Sequence, residues 1–330
     1  MNYQQFRAFR DETLLRQHPL RLDCMNPVKA LDHLVSHSPT PPAHKDDVAE
    51  AWERATGYKI PPERRVLSMG VRPILQATLC TLASHIERAW LPEDVYPAYW
   101  TMAQKAGISA KAFNTTPTLD WAFLKQAGDR DLVLIPSPLS PAGRSLTPEE
   151  TTDLSGWLKA SSGRWALIDA VYTYDYPGEA RRLGPLLATG RCLALWSLSK
   201  GWLRPSALGI ADVPVPLAPA LREKVPPPLR EKIPGATKAL RRQPDLPVRQ
   251  QRRFDAEWKL LLPRLSALCP GWLSPATGYF SAIPLDHQTL LDRHGILAVP
   301  ISVFGSDRKN LSVITCLHDL RSREVTGAAS

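Results

Sequence analysis

From residue 64 onward, short apolar runs alternate with stretches whose apolar positions recur at helical spacing. RRVLSMG (64–70) is strand-like, and RPILQATLCTLASHIERAW (72–90) has helical spacing. ISAKAF (108–113), DLVLIPSP (131–138), WALIDAVY (165–172) and CLALWSLSK (192–200) are further short runs, each ending in a turn-rich or polar segment. Between them, TLDWAFLKQAG and TPEETTDLSGWLKASSG carry helical periodicity, with starts expected at Thr118 and Thr147. Strand, helix and strand repeated in this way predict an α/β domain built on a mostly parallel sheet. After about residue 215 the pattern changes to helices broken by prolines. GYFSAIPL (278–285) and LSVITCL (311–317) then read as strands of a smaller α+β unit. The expected division is an N-terminal arm with part of the small domain (1–40), a large α/β domain (41–220) and a small α+β domain (221–330).

Composition narrows the class. With 330 residues, 44% of them hydrophobic, the chain can bury a large core. The N-terminus is polar, and no apolar run approaches the roughly 18 residues of a spanning helix, so neither a leader nor a membrane segment is expected. The cysteines at 24, 80, 192, 269 and 316 are scattered, without a CxxC pair. They read as free thiols of a reducing cytoplasm rather than a disulfide framework or a zinc site. The net charge of +9 concentrates between Arg222 and Arg264, interleaved with acidic residues. A solvated helical face accounts for it, an anionic ligand comes next, and no nucleic-acid motif accompanies it. His33 and His37 stand four apart without an acidic companion and read as surface residues rather than metal ligands.

In open α/β sheets ligands bind beyond the carboxyl ends of the strands. Here those positions are Gly70, Ser137 to Gly143, Asp169 to Tyr172 and Ser197 to Lys200. A lysine that forms a Schiff base needs a carbonyl partner, and pyridoxal phosphate supplies one. Such a site also needs an anion at the pyridine nitrogen, a donor to the ring phenolate and donors to the phosphate. Asp169, Tyr172, and Ser197 with Ser199 are of those types. The amides of Gly70 and Val71, opening a helix with Pro73 in its first turn, can hold a phosphate.

With these residues in place the sequence resembles the class I/II aminotransferases among the fold-type-I pyridoxal phosphate enzymes. SMGVRPILQATLCTL resembles the family's phosphate-binding turn and helix, and LPEDVYPAYWTMAQKAG the segment whose aromatic stacks on the cofactor, here Tyr96. PSPLSPAGRSLTPEE stands where the family has Asn-Pro-x-Asn-Pro-Thr-Gly, with Ser140 in place of the asparagine that bonds the phenolate oxygen. LIDAVYTYDY matches the D-x-x-Y element of Asp169 and Tyr172, SLSK the lysine motif ending at Lys200, and GILAVPISVFGSDRKNLSVIT the last small-domain segment.

The resemblance implies a fold-type-I large domain, pyridoxal 5'-phosphate, an amino substrate and a homodimer with its active site at the subunit interface. The chain departs from the family at several points. The phosphate arginine eight residues after the lysine is Leu208, with Arg204 four residues closer as substitute or as a solvated arginine. The tyrosine lent by the partner subunit is missing from HSPTPP (37–42), and the arginine that clamps the substrate carboxylate is Ser312, with Arg308 and Lys309 nearby. Ser199 suits a local turn bond as well as a phosphate contact, and Tyr96 suits core packing as well as stacking. The reading is an aminotransferase with a specialised substrate, an anionic one being expected from the positive charge. A lyase or decarboxylase of the same fold is the alternative, and a cofactor-binding protein with little turnover the second.

Overall fold

The computed structural model describes residues 1–35, 43–204 and 208–317. Among them are the strands β1 (Leu20–Arg21), β2 (Arg65–Ser68), β3 (Arg88–Pro92), β4 (Ser109–Phe113), β5 (Asp131–Pro136) and β6 (Trp165–Asp169). They continue with β7 (Cys192–Ser197), β8 (Gly209–Asp212), β9 (Phe280–Ile283), β10 (Ile296–Leu297), β11 (Val299–Pro300) and β12 (Ser312–Thr315). Seven of these form one sheet in the order β2-β8-β7-β6-β5-β3-β4. β8 runs antiparallel to both its neighbours, and the other pairings are parallel.

β5 and β7 are buried along their whole length, which is why they read as continuous apolar runs. Helices cover both faces. One face carries Val71–Leu82 and Ala98–Lys105 over Leu134, Leu167 and Leu195. The other carries Lys45–Thr56, Pro148–Ala160, Tyr176–Leu187 and Ile233–Arg242 around Trp52, Trp196 and Trp202. The Pro148–Ala160 helix begins where the sequence places it. Thr147 accepts from the Glu150 amide, and Glu150 reaches back to the Thr147 amide.

Two helix expectations need correction. The spacing over 72–90 suggests one helix, but the helix ends at Leu82 and β3 begins at Arg88. Ala89, Trp90 and Leu91 fill the slot between β4 and β5, where strand pairing outweighs helical spacing. From Thr118, a helix is replaced by a 3-10 turn at Trp121–Lys125, capped by Asp120. Phe123 stacks on Phe113 at 4.3 Å there, and the chain must re-enter the sheet at Asp131.

A second core gathers Phe6, Leu22, Leu31, Phe254, Trp258, Tyr279 and the apolar residues of β9, β11 and β12. β12 lies between β11 and β9, antiparallel to both, and β1 pairs with β10. Residues from both ends of the chain therefore build this unit. Among the described residues no helix is long and apolar enough to cross a membrane.

Candidate active site

The carboxyl ends of β2, β3, β5, β6 and β7 share one edge of the main sheet, and the antiparallel β8 brings its first residue, Gly209, to the same edge. At the end of β7, Ser197 caps the single-turn helix Leu198–Gly201. Its Oγ accepts from the Ser199 amide at 3.0 Å and lies 2.9 Å from Ser199 Oγ. That turn places the Lys200 Nζ 5.4 Å from the centre of the Tyr172 ring. Burial, with repulsion from the Arg72 guanidinium second, lowers the Lys200 amine to about 8. A larger share of it is then neutral near physiological pH than of an ordinary lysine.

Asp169 ends β6. Its Oδ2 accepts the Tyr99 hydroxyl at 2.6 Å and its Oδ1 the Val171 amide at 3.2 Å. Burial raises the carboxyl's pKa, and these two donors offset part of that rise. Tyr96 lies edge-on to Tyr99 at 5.3 Å, with the Arg72 guanidinium over its ring at 5.4 Å. Tyr172 packs edge-on against Phe280 at 5.7 Å, and burial pushes its hydroxyl up to about 12, so it is a donor at neutral pH.

The turn Gly70–Val71 opens the helix Val71–Leu82 with no side chain capping its amides. A helix start left open in this way attracts an anion. Gly209 pairs with Ser68 of β2 on one side and Ser197 of β7 on the other. A Cβ on Gly209 would stand 2.3 Å from the Gly70 carbonyl carbon and 2.7 Å from the Val71 amide nitrogen, whereas one on Gly70 would meet nothing within 4 Å. The strand thus presses directly behind the turn, and the space before the turn is open.

Ser140 is buried in the loop after β5 and lines a crevice with Tyr172, Thr277, Tyr279 and Phe280. The fully buried Glu179 holds this loop. It accepts from the hydroxyls of Ser137 and Ser145 and from Arg182, whose Nη2 is 2.9 Å away. Gly143, at φ 71, closes the loop against Pro275 where a Cβ would lie 2.5 Å from the proline.

The structure therefore brings Lys200, Asp169, Tyr172, Tyr96, Ser140, Ser197, Ser199, Gly70 and Val71 to one edge. Leu208 is buried in the core. Arg204 lies within electrostatic reach of the Lys238 amine on the helix Ile233–Arg242. The Arg308 guanidinium pairs with the fully buried Asp94 at 2.7 Å and also donates to the Thr116 carbonyl and to Ser306 Oγ. Ser312 is buried in β12, where its hydroxyl donates to the Leu285 carbonyl at 2.7 Å. His33 lies in the 3-10 turn Asp32–Leu34, while His37 and the HSPTPP segment fall outside the described residues. Among the described residues no group of three or more His, Cys, Asp or Glu could hold a metal.

Sequence reasoning misses Arg72, Tyr99 and Gly209. Each has a faint signal beside a residue already singled out: two after Gly70, three after Tyr96 and one after Leu208.

The model of the family "Aminotransferase class I and II" matches residues 32–211. Among solved structures, the chain is similar to an aspartate aminotransferase double mutant from Thermus thermophilus. The TM-score is 0.75 at 15% identity, covering 97% of this chain and 93% of that one. It is also similar to YbdL of Escherichia coli, for which a methionine aminotransferase function was identified. There the TM-score is 0.72 at 17% identity, covering 96% and 92%. The probable aminotransferase TAT1 of Arabidopsis thaliana is 23% identical over 166 residues. That match takes in 48% of this chain but spans only 37% of the relative's length.

Proposed function

Because this chain belongs to the aminotransferase class I and II family, we propose that it is a pyridoxal 5'-phosphate-dependent aminotransferase with a specialised substrate, an amino acid or amine bearing an anionic group. The observation that carries this reading is the convergence of the Lys200 amine, its pKa lowered by burial, with Asp169, Tyr172 and the open Gly70 turn at one sheet edge. The residues fit the cofactor. The turn has open space before it and uncapped amides, and Asp169 keeps lone pairs beyond the two that Tyr99 and Val171 use.

When bound, the cofactor supplies a carbonyl for the lysine and a ring that takes up electrons from the substrate's α-carbon. Lys200 would supply the neutral amine and then move the proton at that carbon. Asp169 would keep a proton on the ring nitrogen. The Tyr172 hydroxyl would donate to the phenolate oxygen, with Ser140 nearby in place of an amide donor. The amides of Gly70 and Val71 would hold the phosphate with Ser197 and Ser199, and Tyr96 would cover the ring.

Arg72 supports the anionic substrate. It is held to Tyr96 by a side-chain hydrogen bond, and its field also reaches Lys200 and Tyr172. Arg308, by contrast, is committed to Asp94. The protein works as a homodimer, as the family resemblance implies. The five free cysteines support a reducing cytoplasm.

The test is borohydride reduction of protein loaded with cofactor, followed by peptide mapping and a panel of amino donors. Label on Lys200 and keto-product formation are expected. Label on another lysine, or none, defeats the reading. A second reading, a decarboxylase or lyase, is favoured by Ser312 standing buried where the family clamps the α-carboxylate. Carbon dioxide released with an amine product, or free ammonia released with a keto acid in the absence of any amino acceptor, would select it.

A further inference from the structure

Tyr99 lies in the segment that resembles the family's stacking element, where only Tyr96 is given a role, yet its hydroxyl makes the shortest contact to Asp169, the residue assigned above to the ring nitrogen. The Asp169 carboxylate sits where burial opposes its charge, and among the described residues the groups that act on it are the Tyr99 hydroxyl and the Val171 amide, with no lysine, arginine or histidine. A half-buried carboxylate without a cation is kept ionised by its hydrogen-bond donors. Asp169 has two, the Val171 amide on Oδ1 and the Tyr99 hydroxyl on Oδ2.

The tyrosine is built to stay a donor in one place. It is 2% exposed and wedged edge-on against Tyr96. Its own amide bonds back to the Tyr96 carbonyl at 3.1 Å, at the start of the helix Ala98–Lys105. Burial and the neighbouring Asp169 charge hold its hydroxyl well above the ordinary phenol range.

We propose that Tyr99 is a positioning residue that fixes the Asp169 carboxylate for the cofactor's ring nitrogen and keeps it ionised there. The proposal rests on the reading of Asp169 as the ring partner. Two donors on different oxygens fix the plane of the carboxylate. Donation from Tyr99 also lowers its proton affinity, so a proton shared with a bound ring nitrogen would stay on the nitrogen. One short segment therefore serves the ring twice, with Tyr96 covering its face and Tyr99 acting through Asp169.

The test compares wild type, Tyr99→Phe, Asp169→Asn and the double variant. Each is titrated in cofactor-free form with pyridoxal phosphate and with its carbocyclic analogue, in which a carbon replaces the ring nitrogen. Binding is read from quenching of tryptophan fluorescence. Phenylalanine keeps the buried ring, and melting of the cofactor-free protein checks the fold. Loss of a hydrogen bond to a charged group predicts pyridoxal phosphate binding about tenfold weaker in Tyr99→Phe. The analogue should bind as in wild type, and Tyr99→Phe should cost little more once Asp169 is asparagine. Equal weakening toward both ligands, no weakening, or an undiminished penalty in the double variant overturns the role of Tyr99. Asp169→Asn binding both ligands like wild type overturns instead the ring-partner reading on which the proposal rests, and the proposal falls with it.

Discussion

Replacing Gly209 by alanine tests the phosphate cradle at its tightest point. The added Cβ would lie 2.3 Å from the Gly70 carbonyl carbon, 2.4 Å from its oxygen and 2.7 Å from the Val71 nitrogen. Carbon atoms rest at about 3.5–4.0 Å, so strand and turn must part by about 1 Å. Neither side yields cheaply, because all three atoms are backbone and β8 is paired on both flanks, to Ser68 and to Ser197. Overpacking of this kind costs about 1–3 kcal/mol of stability.

The larger effect falls on binding. An amide displaced by about 1 Å no longer makes a hydrogen bond of about 2.9 Å to a phosphate oxygen. A charged hydrogen bond lost is about 1.5–3 kcal/mol, which is tenfold or more in affinity. The assay measures cofactor affinity by tryptophan quenching and stability by urea unfolding. Pyridoxal without its phosphate serves as the control. Gly209→Ala should weaken pyridoxal phosphate at least tenfold and leave pyridoxal nearly unchanged. Wild-type affinity for the phosphate form, or an equal loss for both, would refute the argument that the strand sets the turn.

Three further outcomes are expected. Arg72→Ala removes a cation that disfavours the charged form of Lys200, so the midpoint for reductive capture of pyridoxal should move upward from about 8. Burial, the larger cause, remains, so the midpoint should stay below that of an ordinary lysine, and an unmoved midpoint would show that Arg72 is not the neighbour that matters. Arg308→Ala leaves the fully buried Asp94 without its cation and should cost about 2–3 kcal/mol in urea unfolding, toward the low side for a buried pair because Arg308 is partly exposed. Any loss of turnover there should follow stability, and a selective rise in KM with unchanged stability would instead return Arg308 to the substrate. Asp169→Ala should keep some cofactor, through the phosphate cradle and Lys200, yet lose turnover by orders of magnitude. Near-normal turnover would remove Asp169 from the ring nitrogen.

The alternation of apolar runs determined the α/β class, and the residues just past each run determined where chemistry collects. Strand ends are legible because a buried strand such as β7 is apolar along most of its length, so Ser197 at its end and Lys200 beyond it stand out. Thr147 was legible because a capping box is local, set within four residues. The 72–90 stretch was misread because strand identity in β3 comes from its neighbours β4 and β5, which are distant in sequence.

The same distinction divides the site. Asp169, Tyr172 and Lys200 lie in short motifs, whereas Tyr99 meets Asp169 across 70 positions and Arg308 meets Asp94 across 214. Such pairings depend on how strands are ordered in the sheet and where the C-terminal unit packs. Gly209 is the sharpest case, since a glycine after a leucine carries no message of its own. Only the antiparallel entry of β8 between β2 and β7 sets it against the Gly70 turn, where a hydrogen fits and a methyl group does not.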